Sequence, residues 1–287
     1  MASLFAAQVV NGIVYGLILA LVTVGLSLTN GMLGIANLIH AGYFTIGAYV
    51  GVKVFALTGS FVIALLCATA AGALIGYLLE ISCIRKVYND TDTSVILTFA
   101  LLWVVSETIR LTVGPSSLMT MIPESLNGNV KFGPILVTKY RVIIAVVAIV
   151  FVVAYALFMN KTNLGMIARS VLDDRRMTQL LGIKVAPILT LIYIMASAVA
   201  ALAGYLGAPI FGCYPQVGMS VLILLLSIVN VGGMGNLWAV VFTAPLVGII
   251  VSLITLYNSS LAYVGVFVFM IISMLIKPEG LFAKKAK

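Results

Sequence analysis

The chain has 287 residues, 63% of them hydrophobic and 8% charged, with a formal net charge of +8 and a mean hydropathy of +1.23. So little charge over that length leaves no room for a folded soluble domain. The positive balance comes without an aromatic-interleaved basic patch, which excludes a nucleic-acid-binding protein.

Apolar windows of about 20 residues, enough for a helix to cross about 30 Å of hydrocarbon, recur from end to end. The alternation of a membrane barrel is absent. The expectation is an all-α polytopic bundle embedded in the lipid bilayer, one transmembrane domain over 1–287 with about eight to ten spans. In chain order the spans read Phe5–Leu28, Met32–Leu57, Phe61–Ile84, Thr93–Val113 and Tyr140–Met159, then Ala186–Phe211, Val217–Val231, Leu237–Leu256 and Ala262–Ile276. No Lys or Arg occurs in the first ten residues, so the first stretch reads as a retained span rather than a secretory signal. Odd parity places the N-terminus outside.

Asn37, His40, Ala41 and Gly42 interrupt the second span. A broken or re-entrant helix is expected there, which requires protein or a water-filled cavity over the freed backbone groups. His40 is the single histidine, and an intramembrane ionisable residue marks a candidate functional site. Two readings stand: His40 borders a pathway, or it is a neutral ring that holds the break in shape. Gly72 and Gly76 form a small-xxx-small pair that permits close helix approach. Cys67, Cys83 and Cys213 lie in or near apolar runs without metal spacing and read as core packing. Lys53 and Glu80 sit near span ends and are expected to snorkel to water. Glu107 and Arg110 are one helical turn apart and are expected to pair.

The Gly114–Thr138 segment, with Pro115, Pro123 and Pro134, reads as an irregular external loop. It serves either as a cover over the helix ends or as a docking surface for an external partner. The next polar segment, Asn160–Lys184, holds seven of the 24 charged side chains (16 basic plus 8 acidic). Hydrocarbon does not tolerate such a run, so it lies in water. Read as a helix, Leu164, Ile167, Ala168 and Val171 form an apolar stripe, and Arg169, Asp173 and Arg176 a charged one. That pattern suits an element that rests on a membrane domain and offers its polar side to a soluble partner. Placing it in the cytoplasm puts 11 of the 16 basic residues inside, among them Arg85, Lys86, Lys161, Arg175, Lys184, Lys277, Lys284, Lys285 and Lys287. The positive-inside bias then sets the C-terminus in the cytoplasm. Asn230 with Gly232 and Gly233 ends the seventh span in a flexible turn, either a pathway edge or a tight hairpin.

No phosphate-cradling G-x-x-x-x-G-K-[ST] occurs, so the chain does not hydrolyse nucleotide by that route. H-E-x-x-H is absent and one histidine cannot assemble a zinc site, so no metal or cofactor is expected. Paired core carboxylates, which an ion-coupled secondary carrier would need, are lacking. A membrane enzyme built on His40 would need a neighbouring nucleophile or metal ligand, and none is visible.

Four motifs in order carry a resemblance: NLIHAGYFTIGAYV (Asn37–Val50), LGMIARSVLDDRRMTQLLGI (Leu164–Ile183), VGGMGNLWA (Val231–Ala239) and KPEGLF (Lys277–Phe282). Together they resemble the branched-chain amino acid permeases, membrane subunits of binding-protein-dependent ABC importers. Ala41, Gly42, Thr178 and Ala239 depart from the residues common at those places. The resemblance implies a non-catalytic, multi-pass protein of a bacterial inner membrane. Its partners would be a second, related permease subunit, two cytoplasmic ATPase subunits and an external solute-binding protein. It also implies that Leu164–Ile183 is the coupling helix, with Gly165, Ala168, Arg169, Asp173, Arg175, Arg176 and Gly182 carrying ATPase coupling. Asn37, His40, Asn230, Gly232 and Gly233 are expected to border the solute path. Alternating access driven by the ATPases would move branched-chain or related amino acids, the alternatives being urea, a short amide, an aromatic acid or, in another class, ion-coupled transport.

Overall fold

From Leu4 to Leu33 the chain carries no charged side chain, and in the computed structural model it folds there as one long helix, α1 (Ala2–Leu33). The structure describes residues 2–88, 90–132, 135–233, 235, 237–278 and 280–282. Lys284, Lys285 and Lys287, together with Met234, Asn236 and Glu279 of the two C-terminal motifs, lie outside the described residues. The helices that follow are α2 (His40–Thr58), α3 (Phe61–Ser82), α4 (Thr91–Val113) and α5 (Lys139–Lys161). Two short helices, α6 (Asn163–Asp173) and α7 (Arg175–Leu180), lead into α8 (Val185–Phe211), α9 (Val217–Gly232), α10 (Leu237–Thr255) and α11 (Ala262–Ile276).

Each of the nine expected spans carries a helix, and eight are long and apolar enough to cross a bilayer, α11 when the short turn Ser259–Leu261 that leads into it is included. The ninth, α9, has 16 residues and reaches only about 24 Å at 1.5 Å per residue. This is a polytopic helical membrane protein. The middle of α1, the first half of α2 and the second half of α8 are buried. Around them α3, α4, α5, α10 and α11 turn Leu66, Trp103, Val150, Phe242 and Ile271 outward, an apolar rim suited to lipid.

Two differences from the sequence expectation concern where helices stop. Met32 and Leu33 complete α1, and the interruption falls at 34–39, between α1 and α2. The Asn160–Lys184 segment is two helices rather than one. Asp174 has extended backbone (φ −155°, ψ 101°), and its side chain accepts from the Met177 amide at 2.9 Å, capping α7. An aspartate cap satisfies a donor that helix continuation would leave to the backbone, so Arg169 and Arg176 do not share one uninterrupted stripe.

Glycines set the closest contacts. A Cβ on Gly16 would collide with backbone of Ala244 and Pro245, and one on Gly248 with backbone of Gly12 and Gly16, which welds α1 to α10. Gly72 and Gly76 face Ala201 and Ser197, so the α3 pair seats on α8, as the small-xxx-small spacing anticipates. The Gly114–Thr138 loop is more ordered than its composition suggests. Strands β1 (Asn129–Phe132) and β2 (Ile135–Thr138) pair antiparallel with Asn129 opposite Thr138, and the Leu118 amide donates to the Cys213 carbonyl at 2.8 Å. All three cysteines are free, with Cys213 buried.

Candidate functional site

The break at 34–39 lies among buried residues, so its backbone groups need protein partners. Helix α4 supplies two. Ser94 Oγ accepts from the Ala36 amide at 3.1 Å, and Thr98 Oγ1 accepts from the Leu38 amide at 3.1 Å while facing the Ala36 carbonyl at 2.8 Å. Asn30 Oδ1 accepts from the Asn37 amide at 3.0 Å. The break is a built feature held from α1 and α4.

Asn37 and His40 are fully buried at this break. Tyr43 and Tyr193 hydroxyls meet at 2.9 Å, Tyr193 donates to Asn37 Oδ1 at 3.4 Å, and Asn37 Nδ2 donates to Thr29 Oγ1 at 3.3 Å. This chain of hydroxyls and amides ties α2, α8 and α1 together. His40 Nε2 lies 3.1 Å from the Val22 carbonyl. A carbonyl only accepts, so the ring carries its proton on Nε2. Nδ1 is then an acceptor, buried and without a partner among the described residues.

A second polar cluster sits one helical turn away on α8, and it overturns the expectation that Glu80 snorkels to water. Glu80 is fully buried. Arg85 grips it with both ends of its fork, Nε to Oε1 at 3.1 Å and Nη2 to Oε2 at 3.0 Å. Tyr88 donates to Oε1 at 2.6 Å and Thr190 of α8 at 3.1 Å. Burial first, and then the hydrogen bond to the carboxylate, push the Tyr88 hydroxyl well above its ordinary pKa, so it stays a donor. The same carboxylate raises Arg85, chiefly through the hydrogen bonds. Sequence spacing hides this site because Glu80, Arg85 and Tyr88 straddle a helix end at i, i+5 and i+8. The available signal was an ionisable residue inside an apolar run. Lys53, by contrast, is exposed, and Arg110 pairs with Glu107 at 2.6 Å as expected.

The α6–α7 segment joins this cluster. The Arg175 guanidinium lies 5.7 Å from the centre of the Tyr88 ring, within cation–π range. Contacts therefore run from α7 through Tyr88 and Glu80 to Thr190, which lies one helical turn from Tyr193 and the break. Thr162 caps α6 through the Gly165 amide at 3.1 Å. Gly165 abuts the Met159 backbone, and Ala168 and Val171 are buried. Arg169 turns back to the Met159 carbonyl and Asn160 at the end of α5, so its charge closes a helix terminus. Asp173 and Arg176 are exposed beside Met166, Met177, Leu180 and Leu181, the last two more than 70% exposed. Gly182 (φ 80°) turns the chain into α8.

Asn230 reaches Met270 of α11, its amide 3.9 Å from the sulfur. Gly232 packs on Ala239 and Thr243, and Gly233 lies against Gly280. The Leu281 amide donates to the Val231 carbonyl at 2.8 Å, and the Phe282 ring lies 6.5 Å from that of Phe242. Two motifs nearly 40 residues apart thus form one joint at the end of α9. It contributes no hydrogen bond to the Asn37–His40 core among the described residues.

Comparison with known proteins agrees with this architecture. The chain is 24% identical to the high-affinity branched-chain amino acid transport system permease protein BraD of Pseudomonas aeruginosa, over 98% of this chain and 96% of that protein. It is 25% identical to the corresponding permease protein LivH of Escherichia coli K12, with the same coverage. A probable LivH of Methanocaldococcus jannaschii is 24% identical over 94% of this chain and 90% of its own length. Residues 8–276 match the family described as branched-chain amino acid transport system / permease component; a helical bundle with eight membrane-length helices fits that description, and the chain belongs to this family.

Proposed function

We propose that this chain is the membrane subunit of a binding-protein-dependent ABC importer, and that it moves branched-chain or related amino acids by alternating access. The single observation that carries the reading is the α6–α7 surface. The segment exposes the apolar Met166, Met177, Leu180 and Leu181 together with the charged Asp173 and Arg176, and Arg175 links it to the buried Glu80 cluster through the Tyr88 ring. Exposed apolar side chains among charged ones suit a protein partner. In this reading the partner is a cytoplasmic ATPase subunit, which hydrolyses the nucleotide while this chain performs no covalent chemistry. Gly165, Ala168 and Arg169 seat the segment on α5, Gly182 hinges it to α8, and the C-terminus is cytoplasmic. A second, related permease chain and an external binding protein complete the assembly, with residues 1–287 acting as one transmembrane unit.

The test is uptake by the assembled transporter in proteoliposomes. Leu180→Asp with Leu181→Asp changes two exposed side chains, so insertion is expected to be normal. Co-purification of the ATPase and leucine uptake are each expected to fall at least about tenfold, the loss that follows removal of interface anchors. Wild-type uptake with full ligand-stimulated ATPase activity in that variant overturns the coupling assignment. In the same vesicles leucine, isoleucine and valine are expected to outcompete urea, short amides and aromatic acids, and the reverse ranking overturns the solute assignment.

In the same reading the solute path runs past the break. Asn37 and His40 border it, the joint of Asn230, Gly232 and Gly233 forms its inner edge, and the bundle is closed in this conformation. The unpartnered His40 Nδ1 is the acceptor that a solute ammonium would meet. His40→Ala is expected to lower maximal leucine uptake more than about fivefold, one charge-assisted hydrogen bond, with normal amounts of protein in the membrane. Unchanged affinity and rate place the path elsewhere.

A further inference from the structure

At the end of the bundle opposite α6–α7, two clefts of about 290 Å³ and 230 Å³ share Tyr15, Ile210, Val251 and Thr255 among their walls. Together they reach the size of small-molecule sites, about 300–1,000 Å³. One lobe is polar: Gln8 and Asn11 of α1, Arg141 of α5 and Ser252 of α10 line it. The other sets Phe211, Val217 and Val221 beside the hydroxyl-bearing Ser220, Ser259 and Tyr263. Ser252 Oγ is already engaged, 2.8 Å from both the Gln8 carbonyl and Gln8 Oε1. Arg141 is partly buried and forms no salt bridge among the described residues. No acidic side chain lines either lobe. A desolvated guanidinium without a counter-ion beside amide groups is a receptor for a carboxylate.

Helix ends add a second polarity. The cleft receives the N-terminus of α5 and the C-termini of α8 and α10, so partial positive and partial negative charge meet in one cleft. That arrangement suits a zwitterion better than a plain anion.

The geometry points to a receiving site for a free α-amino acid, with its carboxylate on Arg141 and Asn11 and its apolar side chain in the lobe of Phe211, Val217 and Val221. The site rests on the transport reading above and names the chemistry by which this end of the chain recognises its solute. It lies apart from the Asn37–His40 break, so a solute occupies it before the bundle opens.

The experiment is equilibrium binding of radiolabelled leucine to the full-length chain in nanodiscs, with competition by 3-methylbutylamine, which lacks the carboxylate, and by 4-methylpentanoate, which lacks the ammonium. Leucine is expected to bind, and each competitor at least about tenfold more weakly, as the loss of a charge-assisted contact dictates. Arg141→Gln is expected to weaken leucine at least about tenfold while leaving 3-methylbutylamine unchanged, and Arg141→Lys to restore part of the loss. Equal leucine binding by wild type and Arg141→Gln overturns the site, as does failure of the wild-type chain to bind leucine. Leucine uptake by the assembled transporter that survives Arg141→Gln at unchanged KM overturns the site and leaves the transport reading standing. Tight binding of 4-methylpentanoate with none of leucine keeps a carboxylate site but overturns the amino-acid assignment.

Discussion

Replacing Arg85 by methionine is expected to destabilise the protein by about 1.5–3 kcal/mol, the loss that follows when a buried carboxylate is stripped of charge-assisted hydrogen bonds from a partner that is itself partly screened by solvent. Arg85 looks like a surface residue, its side chain 42% exposed, but its partner Glu80 is fully buried. Without the guanidinium, the buried carboxylate keeps only the Tyr88 and Thr190 hydroxyls as partners. Glu80→Gln in the Arg85→Met background removes that carboxylate, so the double variant is expected to be more stable than Arg85→Met alone. Thermal unfolding of the purified proteins in one detergent measures both. A cost for Arg85→Met below about 1 kcal/mol, the value of a solvent-screened pair, would show that water reaches Glu80. Because Tyr88 also lies beneath Arg175, the same variant is expected to loosen α7 and to lower uptake more than its reduced amount in the membrane accounts for.

The helices were legible because the bilayer imposes length and apolarity on any segment that crosses it. Asn37 marked the break at 34–39, whereas His40, Ala41 and Gly42 begin the unbroken helix α2 that follows it. The residues that make the break possible, Ser94 and Thr98, could not be picked out, because a hydroxyl in an apolar helix usually bonds its own preceding turn. Thr98 also does so, at 2.6 Å from the Ser94 carbonyl, and nothing local announces its second role. Arg169 shows the reverse error. Helical spacing put it on an outward charged stripe, yet unsatisfied carbonyls at the end of α5 attract it inward. The segment keeps an exposed surface despite that change, carried by Asp173, Arg176, Leu180 and Leu181 rather than by Arg169. The sulfur contact of Asn230 and the Gly233–Gly280 joint depend on which helices become neighbours, and single-chain spacing does not encode that.

Helix neighbours are encoded in part by glycine, and Gly47 is where that encoding is least forgiving. A Cβ there would meet the Ala201 carbonyl oxygen, carbon and Cα, all backbone. No rotamer change relieves such a clash, so α2 must move away from α8 and the Tyr43–Tyr193–Asn37 chain must lengthen. Gly47→Ala is expected to cost at least the upper end of the about 1–3 kcal/mol typical of overpacking, and Gly47→Leu to leave no folded protein in the membrane fraction. Gly72 makes the control. Its Cβ would meet the Ala201 methyl and, at 2.7 Å, the Ser197 carbonyl, so part of its clash lies in a side chain. Ala201→Gly is therefore expected to recover part of the stability lost in Gly72→Ala and little of that lost in Gly47→Ala, as read by thermal unfolding in detergent. Gly59→Ala sets the scale for backbone strain alone: its φ is 64° with nothing within 4 Å of the added methyl, and about 1–2 kcal/mol is expected. Equal rescue of Gly47→Ala and Gly72→Ala by Ala201→Gly would mean that α2 meets α8 through side chains. The close backbone contact that holds the break against α8 would then be absent.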